Sequence, residues 1–509
     1  MLQWRVRKFA ENYLNSRREK IVAPKGEVDN IDAEVLVGLV IYGVILIVIG
    51  LYSYIISRKR HTEEEYFLAS RELGFWALVC TVGASWTGIS ALISYNAAYT
   101  GGVSTWWIMG FPTVFATAVV AVLAYRIRKT NAISQPQIFE WRYGPKVRII
   151  LALLGIWYMM TWAASELIGG GESLSVALDM PYLVGLLAIT VVVYFYTVIG
   201  GFRAVIYTDI FQFILLNIIC IATSFIALNA IGGFGALAQL PQELGAPGFL
   251  DFFDNFRYNF AYAISFSLAW FLEADMWQRI LAAKNPRLVM KAFLVAAIIF
   301  IPLYFIYTLG GMAAVKVVPG LEGVGVLPSL AKSIFPPLLF GFALAGILAT
   351  VMSSADTAIN SGALLLCEDV YHRYINKKAT PRGLFVVGLV ATTIITVLAF
   401  GVGVTLPDML WVLWLAADIL ACGCLVPLIG GFVWKRANEA GALAGMIVGA
   451  VFAFYNYVGD LFGIEVPRPW PEYPFYLPVG ILFSAIAFII VSLATKPQYE
   501  KFKALKPSD

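Results

Sequence analysis

Thr350, Ser353, Ser354, Asp356 and Thr357 stand close together in an otherwise apolar stretch, Phe340 to Asp369. Hydroxyls and a carboxylate are oxygen donors, and oxygen is what hard cations take. On a helix, Thr350 lies one turn below Ser353 and Ser354, which themselves point about 100° apart, so these side chains make one polar patch. Hydrocarbon penalises such a patch unless it faces something polar. A single Ser or Thr in an apolar helix usually serves packing or bonds back to the preceding turn. The cluster with its in-line Asp points instead to cation binding.

The helix carrying this patch must be held among others like it. Of 509 residues, 60% are hydrophobic and only 13% charged, and the mean hydropathy is +0.79, which no soluble globular domain approaches. The chain reads as an all-α polytopic membrane protein. At about 20 apolar residues per crossing, about thirteen helices are expected, at 36–57, 74–98, 103–125, 147–171, 181–200, 203–230, 258–282, 288–314, 333–365, 383–405, 409–433, 438–458 and 476–495. The loop 231–257 reads equally as an external lid or a connector.

Lys and Arg crowd into alternate loops: Arg58 to Arg71, Arg126 to Arg148, Arg279 to Lys291, Arg373 to Arg382, Lys435 with Arg436, and the tail 496–509. The positive-inside rule makes these cytoplasmic. An odd number of crossings then places the polar tail 1–35 outside, in spite of Arg5, Arg7, Lys8, Arg17 and Arg18. Its Leu2, Val6, Phe9 and Tyr13 recur at helical spacing, as in an amphipathic helix lying on a membrane surface. The net charge of +4 is spread over loops, so the expected partner is the lipid bilayer of a plasma or inner membrane and no nucleic acid.

Covalent chemistry has little to work with. Cys80, Cys220, Cys367, Cys422 and Cys424 fall in or at predicted helices, and His61 and His372 have no partner at ligand spacing. Walker A, HExxH and GxSxG runs are absent. Neither an enzyme nor an organic cofactor is expected.

Along the chain come LVCTVGASWTGISALISYNAAYTGG, whose small residues around Gly83 and Gly88 weaken a helix at mid-depth, then GGFRAVIYTDIFQ, QRILAAK, MSSAD and WKRANEAGALAGMIVG. Together these stretches resemble the sodium/solute symporter family, relatives of the sodium/proline and sodium/sugar symporters, over residues 36 to 495. The resemblance implies a LeuT-like core of two inverted five-helix repeats, 74–230 and 258–433, flanked by a first helix at 36–57 and two more in 438–495. It implies Na+ as coupling ion, held by the carbonyls of Ala84, Thr87 and Thr350 and the hydroxyls of Ser353 and Ser354. Asp209, Asp356 and Thr357 would make a second cation or proton site.

The solute is less well defined. Acids accumulate within the predicted crossings, at Glu166, Glu172, Glu273, Asp275 and Asp418, while no Lys or Arg stands mid-helix, so a purely anionic solute would find no partner. Trp86, Trp162, Phe266 and Trp270 offer apolar or cation-binding faces, and Ser90, Ala91 and Phe266 match positions where relatives of the family contact solute. The expectation is a small zwitterionic or amine-bearing solute. Transport of a sugar, polyol or monocarboxylate, a proton-coupled carrier and, less favoured, a membrane sensor stay open, as does the choice between monomer and homodimer.

Overall fold

The computed structural model describes residues 32–57, 63–321, 325–406, 408–462, 467, 469 and 476–504. The amphipathic helix expected within residues 1–25 lies outside them. In chain order the helices are α1 (Ala33–Ser57), α2 (Glu63–Leu68), α3 (Phe75–Gly101), α4 (Trp106–Lys129), α5 (Gln135–Arg142), α6 (Pro145–Leu178), α7 (Tyr182–Ala230), α8 (Gly233–Glu243), α9 (Phe256–Trp270), α10 (Ala274–Ala282), α11 (Pro286–Val317), α12 (Val326–Ile334), α13 (Pro337–Leu364), α14 (Pro381–Thr405), α15 (Met409–Val433), α16 (Glu439–Phe462), α17 (Leu477–Ala494) and α18 (Tyr499–Ala504). Their starts follow local chemistry: Ser134, Asn285, Thr380 and Asp408 cap α5, α11, α14 and α15 by accepting from backbone N–H groups of the first turn.

Among the described residues, ten helices are long and apolar enough to cross a membrane, where thirteen were expected. The difference has three sources. The helices predicted at 74–98 and 103–125 run on as one apolar stretch, Phe75–Lys129. Those at 181–200 and 203–230 are the single 49-residue α7, roughly 74 Å long, of which only Phe202–Ala230 is long enough by itself. The span predicted at 258–282 is two short helices, α9 and α10, parted at Phe271–Glu273.

Burial separates lipid from core. Val40, Val44, Ile47 and Val48 of α1, Val386 and Val397 of α14, and Leu482 and Ile490 of α17 are exposed, as suits surfaces solvated by acyl chains, whereas α13 is buried along nearly its whole length. α1 reaches α13 at a crossing of small residues. A Cβ on Gly38 would stand 2.6 Å from the Gly341 carbonyl carbon, so only glycine permits this backbone approach. One turn on, the Gln212 amide donates to the Tyr42 hydroxyl at 2.9 Å, and that hydroxyl donates to Met352 Sδ at 3.6 Å.

Segment 231–257 is neither loose nor extended. Leu237, Leu240 and Phe249 pack on Ala98, Leu228 and Met312, and Trp107 Nε1 donates to the Phe252 carbonyl at 3.0 Å, so it forms a folded cover over the ends of α3 and α11. Trp106 is buried against Phe252 and Phe305 there.

At its far end α13 continues as a π-helix, Leu365–Ile375. Asp369 accepts from Ser134 Oγ at 2.8 Å and Arg148 Nε at 2.7 Å, while Arg148 Nη1 and Arg373 Nε donate to Glu140 at 2.7 and 2.9 Å. Burial favours protonated Glu140, but the hydrogen bonds and charges of Arg373 and Arg148 outweigh it and hold the carboxyl below its ordinary range. A depressed carboxyl stabilises the fold above its unfolded pKa and loses that contribution as pH falls through the folded value. Glu140→Gln should therefore lower the thermal midpoint at neutral pH, with the gap closing below about pH 4. A gap independent of pH would mean that the charge of Glu140 is not what stabilises this corner.

Candidate functional site: an ion and solute centre at two helix breaks

The site begins with a glycine. At Gly88, in the middle of α3, the backbone leaves helical geometry (φ −42°, ψ −119°), which interrupts the hydrogen-bond ladder and leaves carbonyls and an N–H to be satisfied elsewhere. α13 supplies the carbonyls with donors. Ser353 Oγ bonds the Ala84 carbonyl at 3.2 Å and the Thr350 carbonyl at 3.0 Å, and Ser354 Oγ bonds those of Ala84 and Ser85 at 3.3 and 2.8 Å. The freed N–H of Ile89 donates to Glu166 Oε2 of α6 at 2.9 Å. A Cβ on Gly88 would lie 1.9 Å from Ser354 Oγ and 2.8 Å from Glu166 Oε1, so the three helices meet here only because the residue is glycine.

Of the expected cation ligands, Ala84, Thr350, Ser353 and Ser354 are brought together. Thr87 is buried beside them, with its hydroxyl donated to the Gly83 carbonyl at 2.7 Å, and the Ser85 carbonyl joins the set. Carbonyl and hydroxyl oxygens converging from two helices are the donors that suit a hard monovalent cation.

The second cluster has a centre that sequence reasoning did not anticipate. Arg279, expected in a cytoplasmic loop, is fully buried in α10, which corrects the reading of that residue as an exposed loop charge. Its guanidinium bonds Asp209 Oδ2 at 3.0 Å, Thr357 Oγ1 at 2.8 Å, Thr81 Oγ1 at 3.0 Å and Asp275 Oδ2 at 3.3 Å, and stacks over Phe202. Thr81 also donates to Asp209. Asp209 and Thr357 therefore meet, through an arginine. Asp356 is fully buried too, and neither of its oxygens, nor Asp209 Oδ1, has a hydrogen-bond partner among the described residues. The spacing of Asp275 and Arg279, one helical turn apart, was the available signal for the pair.

A third group surrounds a small cavity between α3, α6, α9, α15 and the α9/α10 break, lined by Ser85, Trp86, Ser90, Trp162, Glu166, Trp270 and Glu273 among others. Glu273 stands at the α9/α10 break and accepts from Trp86 Nε1 at 2.7 Å and from Tyr158. Trp162 Nε1 donates to Glu166 at 2.9 Å, and Ser90 Oγ meets the Tyr304 hydroxyl at 2.6 Å. Trp86 and Trp270 lie nearly parallel with centroids 6.3 Å apart.

Other expected solute residues are placed elsewhere. Phe266 sits behind Trp270, against Trp414, and Ala91 is buried on α3 outside the lining. Asp418 is away from the cavity, holding hydroxyls of Ser265, Tyr457 and Tyr476 at 2.5, 2.9 and 2.7 Å. Tyr158 was missed, since one tyrosine in an apolar helix carries no distinguishing pattern.

Removing one partner of a buried ion pair leaves an uncompensated charge and costs about 3–5 kcal/mol. Arg279→Met should destabilise the protein by that order, and adding Asp209→Asn should restore part of the loss, measured by chemical unfolding of the two variants. No restoration would show that Asp209 is not the charge that Arg279 compensates.

The chain as a whole resembles several known proteins. It is 28% identical over 493 residues to the osmoregulated proline transporter OpuE of Bacillus subtilis (strain 168), covering 91% of this chain and 95% of that one. It is 26% identical over 494 residues to the sodium/proline symporter of Staphylococcus aureus (strain Newman), covering 90% and 92%. Its fold matches that of a Na+-coupled sialic acid symporter solved in a substrate-bound outward-open state, with a TM-score of 0.77 at 19% identity over 92% of this chain and 99% of that one. It also matches MhsT in complex with L-phenylalanine, with a TM-score of 0.51 at 16% identity over 83% and 99%. The model of the sodium:solute symporter family matches residues 66–449, and the chain belongs to that family.

Proposed function

We propose that this protein is a sodium-coupled symporter that imports a small amine-bearing solute, zwitterionic or cationic, by alternating access. The observation that carries this reading is the bonding of Ser353 and Ser354 to the carbonyls of Ala84, Ser85 and Thr350 at the Gly88 break. A sodium ion among those oxygens would tie α3 to α13. The proline transporters among its relatives support an amino-acid-like solute, and the two carboxylates and facing indoles of the central cavity support one with a positively charged nitrogen.

Coupling follows from where the two sites sit. Ala84 and Ser85 face the ion and Trp86 and Ser90 face the solute, all on the same broken helix. An ion that fixes the break also fixes the solute-binding side chains, and by reciprocity the solute tightens the ion. At a membrane potential of about 100 mV, each positive charge moved inward contributes roughly 2.3 kcal/mol before any sodium gradient. The repeats 74–230 and 258–433 would rock about the centre, with the basic loops and the C-terminal tail cytoplasmic.

The unpartnered oxygens of Asp356 and Asp209 support a second cation or a proton at Asp209, Asp356 and Thr357, since buried acceptors without donors are costly. Replacing Ser353 and Ser354 together with alanine should raise the sodium concentration for half-maximal uptake at least tenfold in proteoliposomes. Unchanged sodium dependence would remove the ion from this position, and acid-dependent uptake in its place would make the protein a proton-coupled carrier.

A further inference from the structure

The cavity distinguishes between the two kinds of amine. In carriers built from broken helices, the exposed N–H groups at the amino ends of half-helices are where an amino-acid solute lodges its carboxylate. Here that place is taken at the Gly88 break and flanked by carboxylates at the other. The Ile89 N–H, freed at Gly88, is bonded at 2.9 Å by Glu166, a side chain of α6 that is itself almost wholly buried. At the other break, Glu273 is the residue before α10, and Asp275 occupies its first turn while accepting from Ser85 Oγ at 2.9 Å. The chain thus brings its own carboxylates to the points that a zwitterion would need, and a solute carboxylate would be set against them.

The rest of the lining suits a positive charge. Among the described residues no Lys or Arg lines the cavity, and the nearly parallel Trp86 and Trp270 offer π faces. Each carboxylate accepts from neutral donors only, Trp86 and Tyr158 for Glu273, Trp162 and the Ile89 N–H for Glu166. Neither carboxylate has a charged group of the chain among its hydrogen-bond partners, and a cation between them would supply the missing counter-charge.

From this we infer that the solute is an organic cation without a carboxylate, an alkylammonium or guanidinium compound held between Glu166 and Glu273. The inference rests on the symporter reading and narrows it. It separates this chain from the proline transporters it resembles by what the pocket already contains.

The test uses matched pairs that differ only in a carboxylate: agmatine and arginine, cadaverine and lysine, tetramethylammonium and glycine betaine, pyrrolidine and proline. Each is added to the full-length purified protein in sodium and, separately, in potassium, and the thermal midpoint is read, since a ligand of the folded state raises it by mass action. The decarboxylated member of at least one pair should raise the midpoint in sodium by several degrees while its partner does not, and it should compete for uptake in proteoliposomes. A shift as large with the carboxylated member, or no shift with any amine of the panel, overturns the inference. Failure of sodium alone to stabilise the protein over potassium counts against the symporter reading instead. Glu273→Gln should weaken the active amine roughly tenfold or more, the value of a charge-assisted hydrogen bond. Glu166→Ala, which uncovers the Ile89 N–H, should let the carboxylated partner bind, and Glu166→Gln, which can still accept from Ile89, should not. Equal behaviour of the two Glu166 variants would overturn the assignment of that carboxylate as the occupant of the solute's place.

Discussion

The hydroxyls of Ser353 and Ser354 are bonded to the carbonyls that α3 gives up at Gly88, and the surrounding architecture is arranged so that this contact can exist. In hydrocarbon a released backbone group has no water to turn to, so α3 can break only where neighbours supply a partner for each freed atom. α13 serves the carbonyl side and α6, through Glu166, serves the N–H side. Because a methyl group at residue 88 would collide with both, the break, the hydroxyls and carbonyls that meet there and one wall of the central cavity are one packing unit.

That unit explains why so many charges are tolerated in the interior. Glu166, Asp209, Glu273, Asp275, Arg279 and Asp356 are all buried, and most are bonded to a group from another helix. Such bonds weaken steeply with distance and angle, so each one resists separation of the segments it joins. The peripheral carboxylate Asp418, gripped by three hydroxyls from α9, α16 and the turn before α17, ties the outer helices to the inner ones by the same means without entering the cavity.

What could be read from residues alone was the part written in consecutive positions. Thr350, Ser353 and Ser354 announce themselves by helical spacing in an apolar segment, and the weakness of α3 at Gly88 by its small neighbours. Contacts between segments far apart in the chain were not visible. Arg279 was assigned to a cytoplasmic loop because the positive-inside rule reads every basic residue at the end of a crossing as exposed, whereas here Asp209, seventy positions earlier, draws it in. Asp418 reads as a solute ligand because a mid-membrane acid implies function, and the tyrosines that satisfy it lie in the next helix and in the turn before the one after it. The expected thirteen helices differ from the ten long apolar stretches where apolar composition continues across a boundary, as along α7, and where a short polar sequence, Glu273 to Asp275, hides a break between α9 and α10.

Arg279 carries one more implication. Its guanidinium is a cation that belongs to the protein, so it cannot be delivered to either side of the membrane when the cargo leaves. While the pair with Asp209 persists, that carboxylate is neutralised without drawing an ion from solution. The carrier would then return empty with less naked charge inside it. A fixed arginine in this position acts as ballast: it offsets part of the buried negative charge whether or not cargo is aboard.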